Sequence, residues 1–157
     1  GSVFWLNDLN HRLLNDLGPE PLGPEFSGLT LYQASRGKTR NVKTLIMDAK
    51  VVVGVGNIYA NEALYLSGIK PTAISGRISK ARFERLAAAI QAVLTKAIQA
   101  GGTSLRAYLK EDGTPGYFRH ELKVYGREGE CCEGCGSALK SLRITGRATV
   151  YCPVCQR

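Results

Sequence analysis

Cys132, Cys135, Cys152 and Cys155 form two C-x-x-C pairs near the end of this 157-residue chain, with the 16 residues 136–151 between them. No other feature restricts the fold as tightly, because two such pairs at this separation match the spacing of a structural zinc site. Four thiolates complete a tetrahedral Zn²⁺ shell and leave no position for a substrate, so one such metal would fold the segment and catalyse nothing. Cys131 adjoins Cys132 and opens a second register, C-x3-C with Cys135, which zinc also accepts. The register through Cys132 makes two equal knuckles, is preferred for that reason, and leaves Cys131 as a spare thiol. A disulfide framework is the competing reading. Against it, no cysteine precedes Cys131, and the chain is long enough to build a core without disulfides.

The remainder reads as one medium helical domain. Lys and Arg outnumber Asp and Glu by 21 to 13, a net charge of +8, which points to a polyanionic partner, nucleic acid before anionic membrane. The charge is clustered: residues 27–50 carry Arg36, Lys38, Arg40, Lys43 and Lys50 against Asp48 alone. No apolar run approaches a membrane span and no signal-peptide pattern opens the chain, so the expected compartment is the cytoplasm, with the thiols reduced.

Leucines at 6, 9, 13, 14 and 17 are compatible with a short helix over residues 1–17. Residues 18–24, Gly-Pro-Glu-Pro-Leu-Gly-Pro, form a rigid connector, since three prolines in six residues cannot continue a helix. Ser27 is placed to cap a helix running to about Ser35, and a second short helix is expected over Val42–Asp48. The β-branched residues and two glycines of Lys50–Asn57 then make a turn. A helix over Ile58–Ser67 follows, with Asn57 as its N-cap and Gly68 ending it. Phe83, Leu86, Ala87, Ile90, Val93, Leu94, Ala97 and Ile98 recur at helical spacing behind Ser79, and the whole stripe is assigned to the core. Residues 101–116 read as a loop. From Tyr117 onward short β segments surround the cysteines, including Ala148–Tyr151. The expected fold class is mostly α with a small β zinc finger.

Two places could hold phosphate. Gly54-Val55-Gly56-Asn57 opens a helix, where N–H groups and the helix dipole favour an anion; Gly56 permits close approach, Asn57 offers an amide, and Lys43 on the preceding helix could add a charge. Equally, Asn57 could only cap and Gly56 only turn. Gly146 marks a turn that puts Arg147 near a hairpin tip, where a guanidinium can fork to phosphate oxygens or simply face solvent. Tyr125 could pack or donate its hydroxyl.

The run Asp48-Ala49-Lys50-Val51-Val52-Val53-Gly54-Val55-Gly56-Asn57-Ile58-Tyr59-Ala60, then Gly101-Gly102-Thr103-Ser104-Leu105, Gly116-Tyr117-Phe118 and Val124-Tyr125-Gly126-Arg127-Glu128-Gly129-Glu130 ahead of the cysteines, together resemble the bacterial formamidopyrimidine-DNA glycosylases. Gly18–Leu22 is similar to their interdomain linker. The resemblance implies a helix–two-turn–helix domain with a lesion-capping loop (residues 25–116) and a zinc finger (117–157), preceded by the end of another domain and a linker (1–24). It assigns Lys43, Gly56 through its amide, Asn57, Tyr125 and Arg147 to the DNA backbone. It assigns Thr103, Ser104, Leu105, Arg106, Ala107 and Tyr108 to a loop over an everted 8-oxoguanine, a reading that base extrusion requires of some pocket. The implied partner is duplex DNA carrying an oxidised purine or abasic site, met by a monomer.

Members of that family open with Pro-Glu on a β-sandwich domain, the proline amine being the nucleophile that forms a Schiff base. This sequence opens Gly1-Ser2-Val3-Phe4-Trp5, and Cys131 stands where the family often has proline. The expectation is therefore a C-terminal portion that binds DNA, carries no catalytic residue and is inactive alone. Endonuclease VIII, which prefers oxidised pyrimidines, is the sister alternative; Gly101–Phe118 favours the purine branch. A stand-alone zinc ribbon for RNA or protein would explain the charge and cysteines but not the Gly-Asn helix entry. A hydrolase has little support, since His11 and His120 are the only histidines and lie far apart.

Overall fold

A computed structural model describes residues 17–99 and 122–157. The short helix expected in 1–17, the 101–116 loop with Thr103–Tyr108, and the domain boundary at 116/117 lie largely or wholly outside the described residues.

Helix α1 (Gly28–Ser35) starts where Ser27 directs it: the Ser27 N–H donates to Thr30 Oγ1 at 3.2 Å, closing the first turn. Helix α2 (Val42–Met47) is capped by Asn41, whose Oδ1 accepts the Thr44 N–H at 2.8 Å. The segment from Asp48 to Gly56 makes the two-turn connection, with Val51, Val52 and Val55 dropped into the core. Helix α3 (Asn57–Ser67) differs from expectation at its start. Gly56 is the N-cap and Asn57 is already helical, because the Gly56 carbonyl accepts the Ala60 N–H at 2.9 Å. Gly68 ends it in the left-handed region, φ 73°, as expected. A 3-10 turn (Ser75–Arg77) leads to helix α4 (Lys80–Gln99), with the Arg82 N–H on Ser79 Oγ at 3.3 Å.

The α4 stripe is buried from Phe83 through Ala97, but Ile98 is 49% exposed. Its assignment to the core is corrected: Ile98 falls beside Leu94 and Ala97 on the rim of a cavity shared with Pro21 and Leu22, at the far end of the helix. The proline-rich connector is docked there. Gly18 N–H donates to the Ala49 carbonyl at 2.8 Å, Val53 N–H to that of Pro19 at 3.2 Å, and Gln91 Nε2 to that of Pro21 at 3.0 Å.

Strands β1 (Lys140–Ile144) and β2 (Arg147–Tyr151) form an antiparallel hairpin in which Ile144 faces Arg147 and Leu142 faces Thr149. The turn between them is two residues, Thr145 and Gly146, at φ 50° and 78°. Both are positive, the geometry whose twist matches that of the flanking strands. Two cores result. The larger joins the four described helices and takes in Leu122; the smaller holds Val124, Cys132, Leu139, Val150 and Cys152, with Tyr65 of α3 packed against it.

Candidate metal centre and nucleic-acid interface

Cys132, Cys135, Cys152 and Cys155 converge so that their four sulfurs all lie within 4.8 Å of one another. Cys131 stays out of the cluster, exposed and bridged to Ala138. Sulfurs of Cys132 and Cys155 are 3.8 Å apart, and those of Cys135 and Cys152 are 3.4 Å apart. A tetrahedron with metal–sulfur bonds of about 2.3 Å has edges of about 3.8 Å, so the cage fits a zinc-sized ion. Backbone N–H groups brace it: Gly134 donates to the Cys132 sulfur and Cys155 to that of Cys152, each at 3.3 Å. Four thiols this close cannot all lose protons independently. Burial opposes ionisation of Cys132, yet hydrogen bonds from the Tyr65 hydroxyl and backbone N–H groups outweigh it and bring the thiol to about 6. The Cys135 hydrogen bond and burial push Cys155 up to about 12. Such a set holds four negative charges only around a cation.

On the other side of the hairpin, the carbonyl of Ala148 collects three donors from the helical lobe. Lys43 Nζ lies at 3.2 Å, Asn57 Nδ2 at 3.1 Å and Asn61 Nδ2 at 3.4 Å. Lys43 also donates to Thr149 Oγ1 at 2.6 Å and is only 1% exposed. Burial, and then the neighbouring Arg147 charge, lower its ammonium to about 8. The sequence suggested a lysine that could add a charge at the Gly56–Asn57 entry; here its stem fills the seam and its head serves the hairpin. The Asn57 amide likewise points inward, and its Oδ1 is buried with no partner among the described residues. Arg147 is exposed beside the turn, as the Gly146 position implied, and Tyr125 is half-buried against the helical core. Between α2 and the hairpin tip a cavity of about 250 Å³ is lined by Arg40, Lys43, Thr44, Asp48, Thr145 and Arg147 among others. Thus Lys43, Asn57 and Asn61 gather around the carbonyl of the residue after Arg147, and Gly56 begins the helix next to them.

Sequence reasoning passed over the residues that make this juxtaposition. Glu62, 4% exposed, accepts three successive backbone N–H groups, from Lys123 at 2.6 Å and from Val124 and Tyr125 at 2.9 Å each. Burial raises its carboxyl above the usual range, against the lowering effect of those bonds. Asn61 Oδ1 accepts the Val150 N–H at 2.7 Å, and the Tyr65 hydroxyl meets the Cys132 sulfur at 3.2 Å. Gln156, fully buried, ties the Cys152 N–H to the Ile69 carbonyl with bonds of 2.8 and 2.9 Å. The one available signal was the spacing 57, 61, 65, which stacks polar side chains along one helical face.

Comparison with known proteins agrees with this architecture. A family model described as the formamidopyrimidine-DNA glycosylase H2TH domain matches residues 17–108. The formamidopyrimidine-DNA glycosylase of Pseudomonas paraeruginosa is 55% identical over 158 residues, covering 100% of this chain and 58% of the relative. That of Acidithiobacillus ferrooxidans is 53% identical over the same share. The chain therefore spans 58% of the length of these curated relatives. Among solved structures, Lactococcus lactis Fpg in complex with abasic-site DNA superposes with a TM-score of 0.83 at 34% identity, over 95% of this chain and 55% of that one. MutM (Fpg) from Thermus thermophilus gives 0.80 at 37% identity, over 92% and 55%. With a family model covering more than half of it, the chain belongs to the formamidopyrimidine-DNA glycosylase H2TH-domain family.

Proposed function

We propose that this chain is the DNA-holding part of a base-excision glycosylase and abasic-site lyase acting on oxidised purines, with one structural Zn²⁺ held by Cys132, Cys135, Cys152 and Cys155. The observation that carries the reading is the meeting of the Gly56–Asn57 helix entry with Arg147 at the tip of a cysteine-braced hairpin, around the Ala148 carbonyl. A helix start offers N–H groups and a positive dipole end to one phosphate. A guanidinium a short distance away reaches the next, and Lys43 adds charge behind them. Tyr125, anchored at its own N–H, supplies a further contact. These groups read the sugar–phosphate backbone, which positions a duplex without specifying its sequence. The solved complexes of Lactococcus lactis Fpg with abasic and Fapy-dG DNA support this choice of partner. The units are taken as residues 25–116 and 117–157 behind a connector at 18–24, with Thr103–Tyr108 over the extruded base. No helix among the described residues is long and apolar enough to cross a membrane; the proposed location is with the chromosome in a bacterial cytoplasm.

The test is a salt titration of binding to a duplex containing an abasic-site analogue, alongside an undamaged duplex and an RNA hairpin. Each phosphate neutralised contributes about 0.9 to the slope of log K against log salt. A slope of about −3 or steeper on DNA, reduced by about 1 in Arg147→Ala, with weaker binding at an unchanged slope in Asn57→Ala, supports the reading. Salt-independent binding, or preference for the RNA, rejects it. The purine preference is tested by borohydride trapping of the full-length protein on 8-oxoguanine against thymine-glycol duplexes.

A further inference from the structure

We propose that Asn61 and Glu62 are positioning residues for DNA binding, Asn61 fixing the strand that carries Arg147 and Glu62 fixing Tyr125; this rests on the reading that Arg147 and Tyr125 meet the DNA backbone. The two are consecutive on α3, one turn beyond the Gly56–Asn57 entry. Asn61 is fully buried. Its Oδ1 takes the Val150 N–H at 2.7 Å, while Nδ2 donates to the Asn57 carbonyl at 2.8 Å and to that of Ala148 at 3.4 Å. One amide thus ties the first residue of α3 to β2 on both sides of Thr149, directly after Arg147.

Glu62 does the same for the other contact. Lys123, Val124 and Tyr125 turn three consecutive N–H groups onto its two oxygens. Any slide or rotation of that segment would strip hydrogen bonds from a buried carboxylate, which makes the register stiff. Neither side chain is exposed, so neither touches DNA; each acts through the residue it holds. The consequence is that three groups from three separate stretches of chain, Asn57, Arg147 and Tyr125, are spaced by a single rigid helical turn. Sites of this kind need support from behind the contacting residues to hold their geometry.

Double-mutant cycles on DNA affinity in the full chain test this, with zinc content and thermal midpoint read for every variant. Glu62→Gln replaces one oxygen by an NH2 group, which cannot accept all three N–H donors. We expect it to weaken DNA binding about tenfold and Tyr125→Phe about fivefold, with zinc retained. The double variant should be no weaker than Glu62→Gln alone, because displaced Tyr125 has already lost its contact. Asn61→Asp, which sets an oxygen against the Ala148 and Asn57 carbonyls, should be non-additive with Arg147→Ala in the same way. That pair decides the matter if Glu62→Gln fails to fold. Additive losses in the cycles overturn the proposal while leaving the DNA contacts in place. If Tyr125→Phe and Arg147→Ala have no effect by themselves, the contact reading falls and this inference falls with it.

Discussion

Lys43 Nζ donates to Thr149 Oγ1 at 2.6 Å across 106 residues of sequence, so the helix before the two-turn segment and the second strand of the hairpin are joined by a single buried ammonium. Because Lys43 is 1% exposed and Arg147 presses on it electrostatically, holding that charge has a cost. A phosphate near Arg147 would relieve it. The lysine is therefore both a structural tie and part of the positive field at the hairpin tip.

Its titration makes two opposite predictions. Lys43 lets go of its proton at about 8 when folded, against 10.5 ordinarily. Between those values the unfolded chain binds more protons, so stability contributed by this residue rises with pH through that window. DNA affinity moves the other way, falling as pH passes 8 because a positive charge is lost from the interface. Lys43→Met should flatten both trends. Urea midpoints and DNA affinities from pH 7 to 10, wild type against variant, check the signs; parallel curves for the two proteins would reject the assignment.

The helical core makes a simpler prediction. Phe83 is fully buried against the other helices, whereas Ile98 is 49% exposed on the same helix. Phe83→Ala should cost about 3–5 kcal/mol. Ile98→Ala should cost less than about 1 kcal/mol, since little apolar surface returns to water. Chemical denaturation of both variants, with equal m-values, distinguishes a helix whose stripe ends at Ala97 from one buried to its last turn.

Elements with a local cause were the ones legible in the sequence. Ser27 and Ser79 announce helix starts, Gly68 an end and Gly146 a turn, because each acts within four residues of itself. The cysteine cage was legible because two C-x-x-C pairs at this separation are the spacing by which four thiolates can share one metal ion. What was not legible has long-range causes. Asn57 looks like a cap, but Gly56 supplies that position and Asn57 turns to Ala148, 91 residues away. Lys43 stands in a basic run, and only the hairpin's arrival buries it. Glu62 has no visible motif, since its partners are backbone N–H groups that every sequence provides.

Removing the metal should dismantle the hairpin and spare the helices. The small core has five buried members, two of them the proposed ligands Cys132 and Cys152, so little apolar burial remains without the ion. A strong chelator should release one zinc per chain and expose the amides of residues 140–151 to rapid hydrogen exchange, while those of α4 stay protected. It should also lower the salt slope of DNA binding by about 1, the share of Arg147. Retention of amide protection in the hairpin after complete zinc loss would contradict this account.

Tyr65 should tune how tightly the ion is held. Its hydroxyl reaches the Cys132 sulfur at 3.2 Å from α3, and burial together with the Cys132 sulfur pushes the phenol far above its ordinary range, so it stays a donor. A hydrogen bond to a ligand sulfur stabilises the thiolate and fixes its direction, and loss of such an outer partner typically costs 10- to 100-fold in metal affinity. Tyr65→Phe keeps the ring that packs against the small core and removes only the oxygen. The expected result is zinc affinity lower by about tenfold in a chelator competition, with the apparent melting point of the helical lobe unchanged. Unaltered zinc affinity would mean that the contact merely fills space between α3 and the first knuckle. Because Tyr65 lies on the helix that begins at Gly56–Asn57, a positive result would also show that this helix entry and the cysteine cage are braced by the same element.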